Sequence, residues 1–179
     1  MNTQEVILVN DHDEAIGSME KMEAHAKGIL HRAFSIFIFN AGGEMLLQQR
    51  AISKYHSGGL WSNACCSHPS PGEETGSAAM RRLKEEMGFD TPLEKIFDFI
   101  YKASLGNGLT ENEFDHVFAA EYNGSIHINQ EEVIDYCYKP MTAIKHSLQT
   151  HPQNYTAWFY IAFPKIESWW KQHYQRSLN

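Results

Sequence analysis

SHPSPGEETGSAAMRRLKEEMGF, residues 67–89, carries the clearest local signal in this chain. Pro71-Gly72 interrupts any regular element, Glu73-Glu74-Thr75 suits a helix start, and Ala79, Leu83 and Met87 then recur at i, i+4 and i+8 before Gly88 stops the pattern. The spacing predicts an amphipathic helix over 74–88. At about 100° per residue its apolar stripe spans about 80°, with Glu86 about 20° outside it and Arg82 about 60° outside it. A carboxylate therefore rides on the shoulder of the buried face. It is either half of an i, i+4 pair with Arg82 on a solvated flank, or a partly buried acid that needs a compensating charge such as a divalent cation.

Working outward, Val6 to Val9, the polar cluster Asn10 to Glu14, and Ala15 to Met19 read as strand, turn and strand. Met19 to Lys27 is a short helix candidate ending at Gly28. Arg32 to Phe39 and Glu44 to Arg50, split by Asn40-Ala41-Gly42-Gly43, predict a β-hairpin. Residues 51–72 look like a long functional loop with a short strand near Trp61 to Cys66. Leu93 to Ala103, Glu111 to Tyr122 and Val133 to Tyr138 read as strands, while Met141 to Leu148 and Tyr155 to Tyr174 read as helices. Strands and helices mix without βαβ alternation. The fold class expected is α+β or a sandwich-like layering around a mixed sheet, in a single domain over 1–179.

Composition removes several function classes. With 12 Gly and 6 Pro among 179 residues and 42% hydrophobic content, the chain is neither disordered nor collagen-like, and it can bury a core without metal or disulfide staples. Fifteen Lys plus Arg against 22 Asp plus Glu give a net charge of −7, which argues against nucleic acid as a partner. The longest apolar run, Ala157 to Phe163, is far shorter than the roughly 20 residues that span a bilayer, and Met1-Asn2-Thr3-Gln4-Glu5 has no cationic leader region. No membrane association is expected. Three cysteines, Cys65, Cys66 and Cys137, fit a reducing compartment, so a cytoplasmic location is expected, with a monomer as the simplest state. Ten histidines are many for such a chain and point toward chemistry. Glu111 and Glu113 lie one residue apart on an expected strand, so both carboxylates face one way and need a cation or a proton between them.

Ser67-x5-Glu73-x7-Arg81-Arg82-Leu83-x-Glu85-Glu86-x-Gly88-Phe89 is similar to the 23-residue Nudix box, with Ser67 in place of its leading Gly and Arg82 in place of one metal-binding Glu. Met22-Glu23-Ala24-His25, Trp61-Ser62-Asn63-Ala64-Cys65-Cys66-Ser67-His68-Pro69 and Glu111-Asn112-Glu113 add a resemblance to the type 1 isopentenyl-diphosphate isomerase family, which has the Nudix fold. The resemblance runs from about residue 4 to Trp158. It implies an α+β Nudix core over about 29–164, a mixed sheet sandwiched between helices, with residues 1–28 as a short N-terminal β extension contributing to the site. It also implies an isomerase of a five-carbon diphosphate, a small-molecule substrate. The loss of the box Glu at Arg82 argues against the alternative, a Nudix diphosphohydrolase acting on a nucleotide-like substrate.

The implied site has Cys66 and Glu113 as the acid–base pair, Tyr101 hydrogen-bonding the Glu, and Trp158 as an aromatic wall for a carbocation. Cys65 and Cys66 face opposite ways on a strand, and the spacing to His68 selects Cys66. His25, His31, His68, Glu111 and Glu113 are implied ligands of Mn²⁺, Zn²⁺ or Fe²⁺. Glu86 and the Cys66 carbonyl are implied ligands of Mg²⁺, with Lys21, Arg50, Lys54 and Arg82 contacting the diphosphate. The remaining histidines, including His56 and His116, match no motif and are read as structural.

Overall fold

The computed structural model describes residues 4–174; the first three residues of the expected N-terminal extension and the last five of the chain lie outside them. Strands β1 (Glu5–Val9) and β2 (Ala15–Glu20) form the antiparallel N-terminal pair. Helix α1 (Lys21–Lys27) follows; the Glu20 carboxylate caps its N-terminus and Gly28, at φ 62°, its C-terminus.

The core is built on β3 (His31–Phe39), whose alternation serves two faces. Phe34, Ile36 and Ile38 pack toward helix α2 (Thr75–Met87), while Phe37 and Phe39 pack toward helices α3 (Met141–Thr150) and α4 (Ala157–Tyr174). The mixed sheet between helices is thus as expected from the sequence. In α2 the stripe of Ala79, Leu83 and Met87 is fully buried, Glu74 caps the start and Gly88 the end. A Cβ at Gly88 would lie 2.1 Å from the His127 carbonyl oxygen, so only glycine fits this stop. Helix α4 continues through Pro164 because Trp158, Phe159, Ala162, Phe163 and Ile166 hold its inner face on the core. No helix among the described residues is long and apolar enough to cross a membrane.

The expected hairpin at 32–50 differs from the structure. β3 and β4 (Met45–Arg50) pair only at Phe39 and Met45 and then diverge. β3 instead runs parallel to β8 (Leu109–Glu121) and antiparallel to β6 (Cys65–Ser67), while β4 pairs with β5 (Trp61–Asn63) and β9 (Val133–Lys139). A hairpin in full register would have taken the edges that β6 and β5 occupy. The single strand expected near 61–66 is two short strands broken at Ala64. β7 (Glu94–Gly106) completes the sheet by pairing with β8.

Candidate active site

Three registers assemble one cavity of about 670 Å³. Pairing of His31 with Glu113 along β3 and β8, of Tyr101 with Glu113 along β7 and β8, and of Ser35 with Cys66 along β3 and β6 puts these side chains side by side. The cavity is lined by Cys66, His68, Tyr101, Glu111, Glu113 and Trp158, and at its mouth by Lys21, Arg50, Lys54, Arg82 and Glu86. Only His25 and His31, of the site residues expected from sequence, stand behind its wall rather than on it.

At the back of the cavity, His25, His31, His68 and Glu113 each offer a ligand atom, all within 4.8 Å of one another and all buried. The Nδ1 atoms of His25 and His31 lie 2.7 and 2.8 Å from the Lys21 and Ile29 carbonyl oxygens. A carbonyl only accepts, so both Nδ1 atoms carry the proton and both Nε2 atoms carry the lone pair. Those Nε2 atoms are buried and without a hydrogen-bond partner. Orphaned acceptors cost about 1–3 kcal/mol each when nothing satisfies them. Two free imidazole lone pairs beside a carboxylate and a third imidazole are therefore the donor set a divalent cation needs, and the residues fit one. The fifth expected ligand, Glu111, falls outside this group of four and clusters with His25 and His56 instead.

The Tyr101 Oη lies 2.8 Å from Glu111 Oε2 and 2.7 Å from Glu113 Oε2. One phenol proton cannot be donated to two carboxylates at once, so a second proton belongs to the trio. Burial and the neighbouring Glu113 charge push the Glu111 carboxyl well up; it is the protonated member. Burial also opposes charge on Glu113, but the neighbouring His31 and His68 imidazoles outweigh it and hold that carboxyl well below the usual range. Burial lowers His68 to about 3, so it is a neutral imidazole, with Nε2 2.9 Å from Glu113 Oε1.

Cys66 is held by its neighbours. Its Sγ donates to Asn63 Oδ1 at 3.1 Å and lies 3.4 Å from Ser35 Oγ, which donates to the buried Asp115 at 2.7 Å. The Asn63 amide cannot flip, because its Nδ2 donates to the carbonyls of Ile36 and Cys65. Burial, then the Asp115 carboxyl, push the thiol up, so Cys66 carries its proton. Cys65 points the other way, into the core around Ala79 and Leu83, as strand alternation requires.

Glu86 is buried rather than on a solvated flank. It accepts from Arg82 Nη2 at 2.6 Å and from Gln48 Nε2 at 2.9 Å. Its oxygens keep spare lone pairs toward the cavity, which a hard cation such as Mg²⁺ can use. Arg50 lies with its Cζ 5.0 Å from the Trp158 ring centre, and Lys21 is over the Tyr55 ring at 4.7 Å. Burial, with Lys54 and Arg50 nearby, lowers Lys21 to about 8. An anion at the mouth would relieve that crowding of positive charge.

The residue pattern 29–159 matches the NUDIX domain family. An isopentenyl-diphosphate Delta-isomerase of Pectobacterium atrosepticum is 48% identical over 96% of this chain and 96% of the relative, and one from Photorhabdus laumondii is 48% identical over 92% and 96%. The chain belongs to the Nudix-fold isopentenyl-diphosphate Delta-isomerase family. A Deinococcus radiodurans structure, 15% identical, shares the fold at a TM-score of 0.74 over 90% of this chain and 98% of that one.

Within that family frame, this chain's Ser67 sits in ordinary strand backbone and carries no positive φ. Arg82, in the slot of the box acid, binds Glu85 and Glu86 and reaches Glu132 at 3.5 Å. Sequence reasoning missed two residues that line the cavity, Glu132 and His56, and two that stand behind Cys66, Asp115 and Ser35. Glu132 ion-pairs with Lys54 and so occupies a cation expected to be free. Asp115 continues the Glu111, Glu113 alternation by one more step, a signal the sequence did contain. Ser35 has no motif. His56, expected to be structural, lines the cavity beside Trp158, with ring centres 5.6 Å apart. Burial, then Arg50, lower it to about 3.

Proposed function

We propose that this chain interconverts isopentenyl diphosphate and dimethylallyl diphosphate, an isoprenoid building-block isomerisation, with Cys66 and Glu113 as the proton-transferring pair. The observation that carries this reading is one cavity holding a neutral, oriented thiol and a Tyr101-bridged carboxyl pair beside a buried tryptophan. In the forward direction one station gives a proton to C4 and the other takes a proton from C2; the double bond shifts from C3–C4 to C2–C3 and no group leaves. In reverse the two stations exchange roles.

Lys21, Arg50, Lys54 and Arg82 bind and orient the diphosphate at the mouth, leaving the hydrocarbon tail to enter the cavity. Trp158 lines the tail with an apolar face that excludes water and stabilises positive charge developing at C3. Asn63 and Ser35 hold the Cys66 thiol toward the substrate. Tyr101 passes hydrogen bonding between Glu111 and Glu113 and keeps one proton available at the Glu113 side. His25, His31, His68 and Glu113, with Glu111 beside them, would hold a divalent transition metal such as Mn²⁺, Zn²⁺ or Fe²⁺, and Glu86 with the Cys66 carbonyl would hold Mg²⁺. When bound, these ions supply fixed positive charge that keeps the buried carboxylates oriented and helps neutralise the diphosphate.

The hydrolase reading has less support. Arg82 stands where the box places an acid and neutralises Glu86, and the curated relatives are named as isomerases. Incubating the metal-loaded protein with isopentenyl diphosphate should give the allylic isomer with the diphosphate intact. Phosphate release from nucleoside diphosphate derivatives at enzymatic rates would instead favour hydrolysis.

A further inference from the structure

His25, His56 and Glu111 form a second cluster whose ligand atoms lie within 4.8 Å of one another. His56 is carried there by the loop between β4 and β5. Ser57 adopts a left-handed backbone at φ 54°, and a Cβ at Gly58 would lie 2.5 Å from the Ile52 carbonyl oxygen, so the loop is folded tightly back on itself. This turn directs Tyr55 and His56 into the cavity.

The donors are arranged for a cation rather than for one another. His56 Nε2 and Glu111 Oε1 stand 3.9 Å apart, too far for a hydrogen bond. Two arms of about 2.1 Å from one ion span that gap. Glu111 Oε2 is already engaged by Tyr101, which leaves Oε1 facing His56. His25, fully buried, presents the unpartnered Nε2 described above.

We propose that His56 and Glu111, with His25, form a second, outer cation position beside the four-donor site, taking the same class of borderline divalent metal. One imidazole nitrogen binds one ion, so the two positions share His25 and are alternatives for a single ion. His56 and Glu111 line the cavity, as do His68 and Glu113 of the inner set, whereas the shared His25 and the inner His31 stand behind its wall. Because His25 belongs to both donor groups, an ion can exchange between them, and the outer position retains it when the inner one is damaged. The inference rests on reading the inner four donors as a metal site, and the test separates the two.

Metal-stripped protein is titrated with Co²⁺ alone and followed by its visible absorption. Wild type is expected to bind one ion. His68→Ala weakens the inner position, yet a weaker Co²⁺ site is expected to remain. Adding His56→Ala should abolish that residual binding. Adding His56→Cys instead should restore it, with thiolate-to-cobalt charge-transfer absorption in the near ultraviolet that His68→Ala alone lacks. The cysteine variant gains a signal, so a folding defect cannot imitate the expected result. Residual Co²⁺ binding that is the same with and without His56, or a His56→Cys variant with bound Co²⁺ and no new band, overturns the outer position and leaves the inner one standing. A wild type that binds no Co²⁺ overturns both.

Discussion

Replacing Tyr101 by Phe removes one oxygen and no other bulk, and it acts on the hydrogen bonds that join Glu111 and Glu113. A hydrogen bond to a charged group contributes about 1.5–3 kcal/mol net. If the bond to Glu113 strengthens as that carboxyl exchanges its proton, its loss raises the barrier by that amount, a fall of about 10- to 150-fold in kcat at roughly tenfold per 1.36 kcal/mol. Tyr101 Oη bonds the two carboxyls and not the cations at the mouth, so KM for the diphosphate should stay within about twofold. The folded state should lose about 1–3 kcal/mol, because two buried carboxyl oxygens lose their partner. Steady-state kinetics on the metal-loaded enzyme, with urea unfolding of the same preparation, separates the effects. A variant that is destabilised but keeps its kcat would refute the role of Tyr101 in proton transfer and reduce it to packing.

The other predictions probe different parts of the site. Cys66→Ala should lower isomerisation by about 10²–10⁴-fold, while Cys65→Ala, whose side chain faces α2, should keep most activity; equal losses would break the assignment. Arg82→Glu should weaken diphosphate binding and isomerisation without creating a hydrolase, measured by product analysis with both substrate classes; rapid phosphate release would contradict it. Glu132→Gln should free Lys54 and Arg82 and tighten product binding measured by calorimetry, whereas weaker binding would give Glu132 a positive role in the site. In metal-stripped protein, His56 and His68 have folded pKa values near 3 against about 6.5 unfolded, so the unfolded state binds more protons between those values. Their contribution to stability is complete above pH 6.5 and is lost as pH falls toward 3. Urea midpoints that are flat from pH 7 to pH 4.5 would count against neutral buried imidazoles.

Much of the fold is local and was therefore legible. The stripe of Ala79, Leu83 and Met87 with Gly88 fixed α2, and period-two alternation placed Glu111 with Glu113 and separated Cys65 from Cys66. What failed was long-range choice of partner. Nothing local tells β3 and β4 to part after Phe39 and Met45, because that depends on the distant β6 and β5 taking the edges along which a hairpin would have paired. His56 was hidden for a different reason. Its direction follows from the left-handed Ser57 and the close approach of Gly58 to Ile52, which leave no periodic trace, although the Gly58-Gly59 pair did mark a tight turn. Glu132 reaches the mouth from a turn before β9, and only the β4–β9 pairing brings it to Lys54 and Arg82.

In the proposed reaction, protons held by this protein's own side chains move the double bond of the C5 diphosphate. Turnover of isopentenyl diphosphate in deuterated water, followed by proton and phosphorus NMR, tests it directly. Because Cys66 and the Tyr101-linked carboxyls exchange with solvent between turnovers, the expected result is dimethylallyl diphosphate carrying deuterium in a methyl group, an intact diphosphate, and loss of both product and label in Cys66→Ala. Product with no deuterium, or inorganic phosphate in place of the allylic isomer, would contradict it.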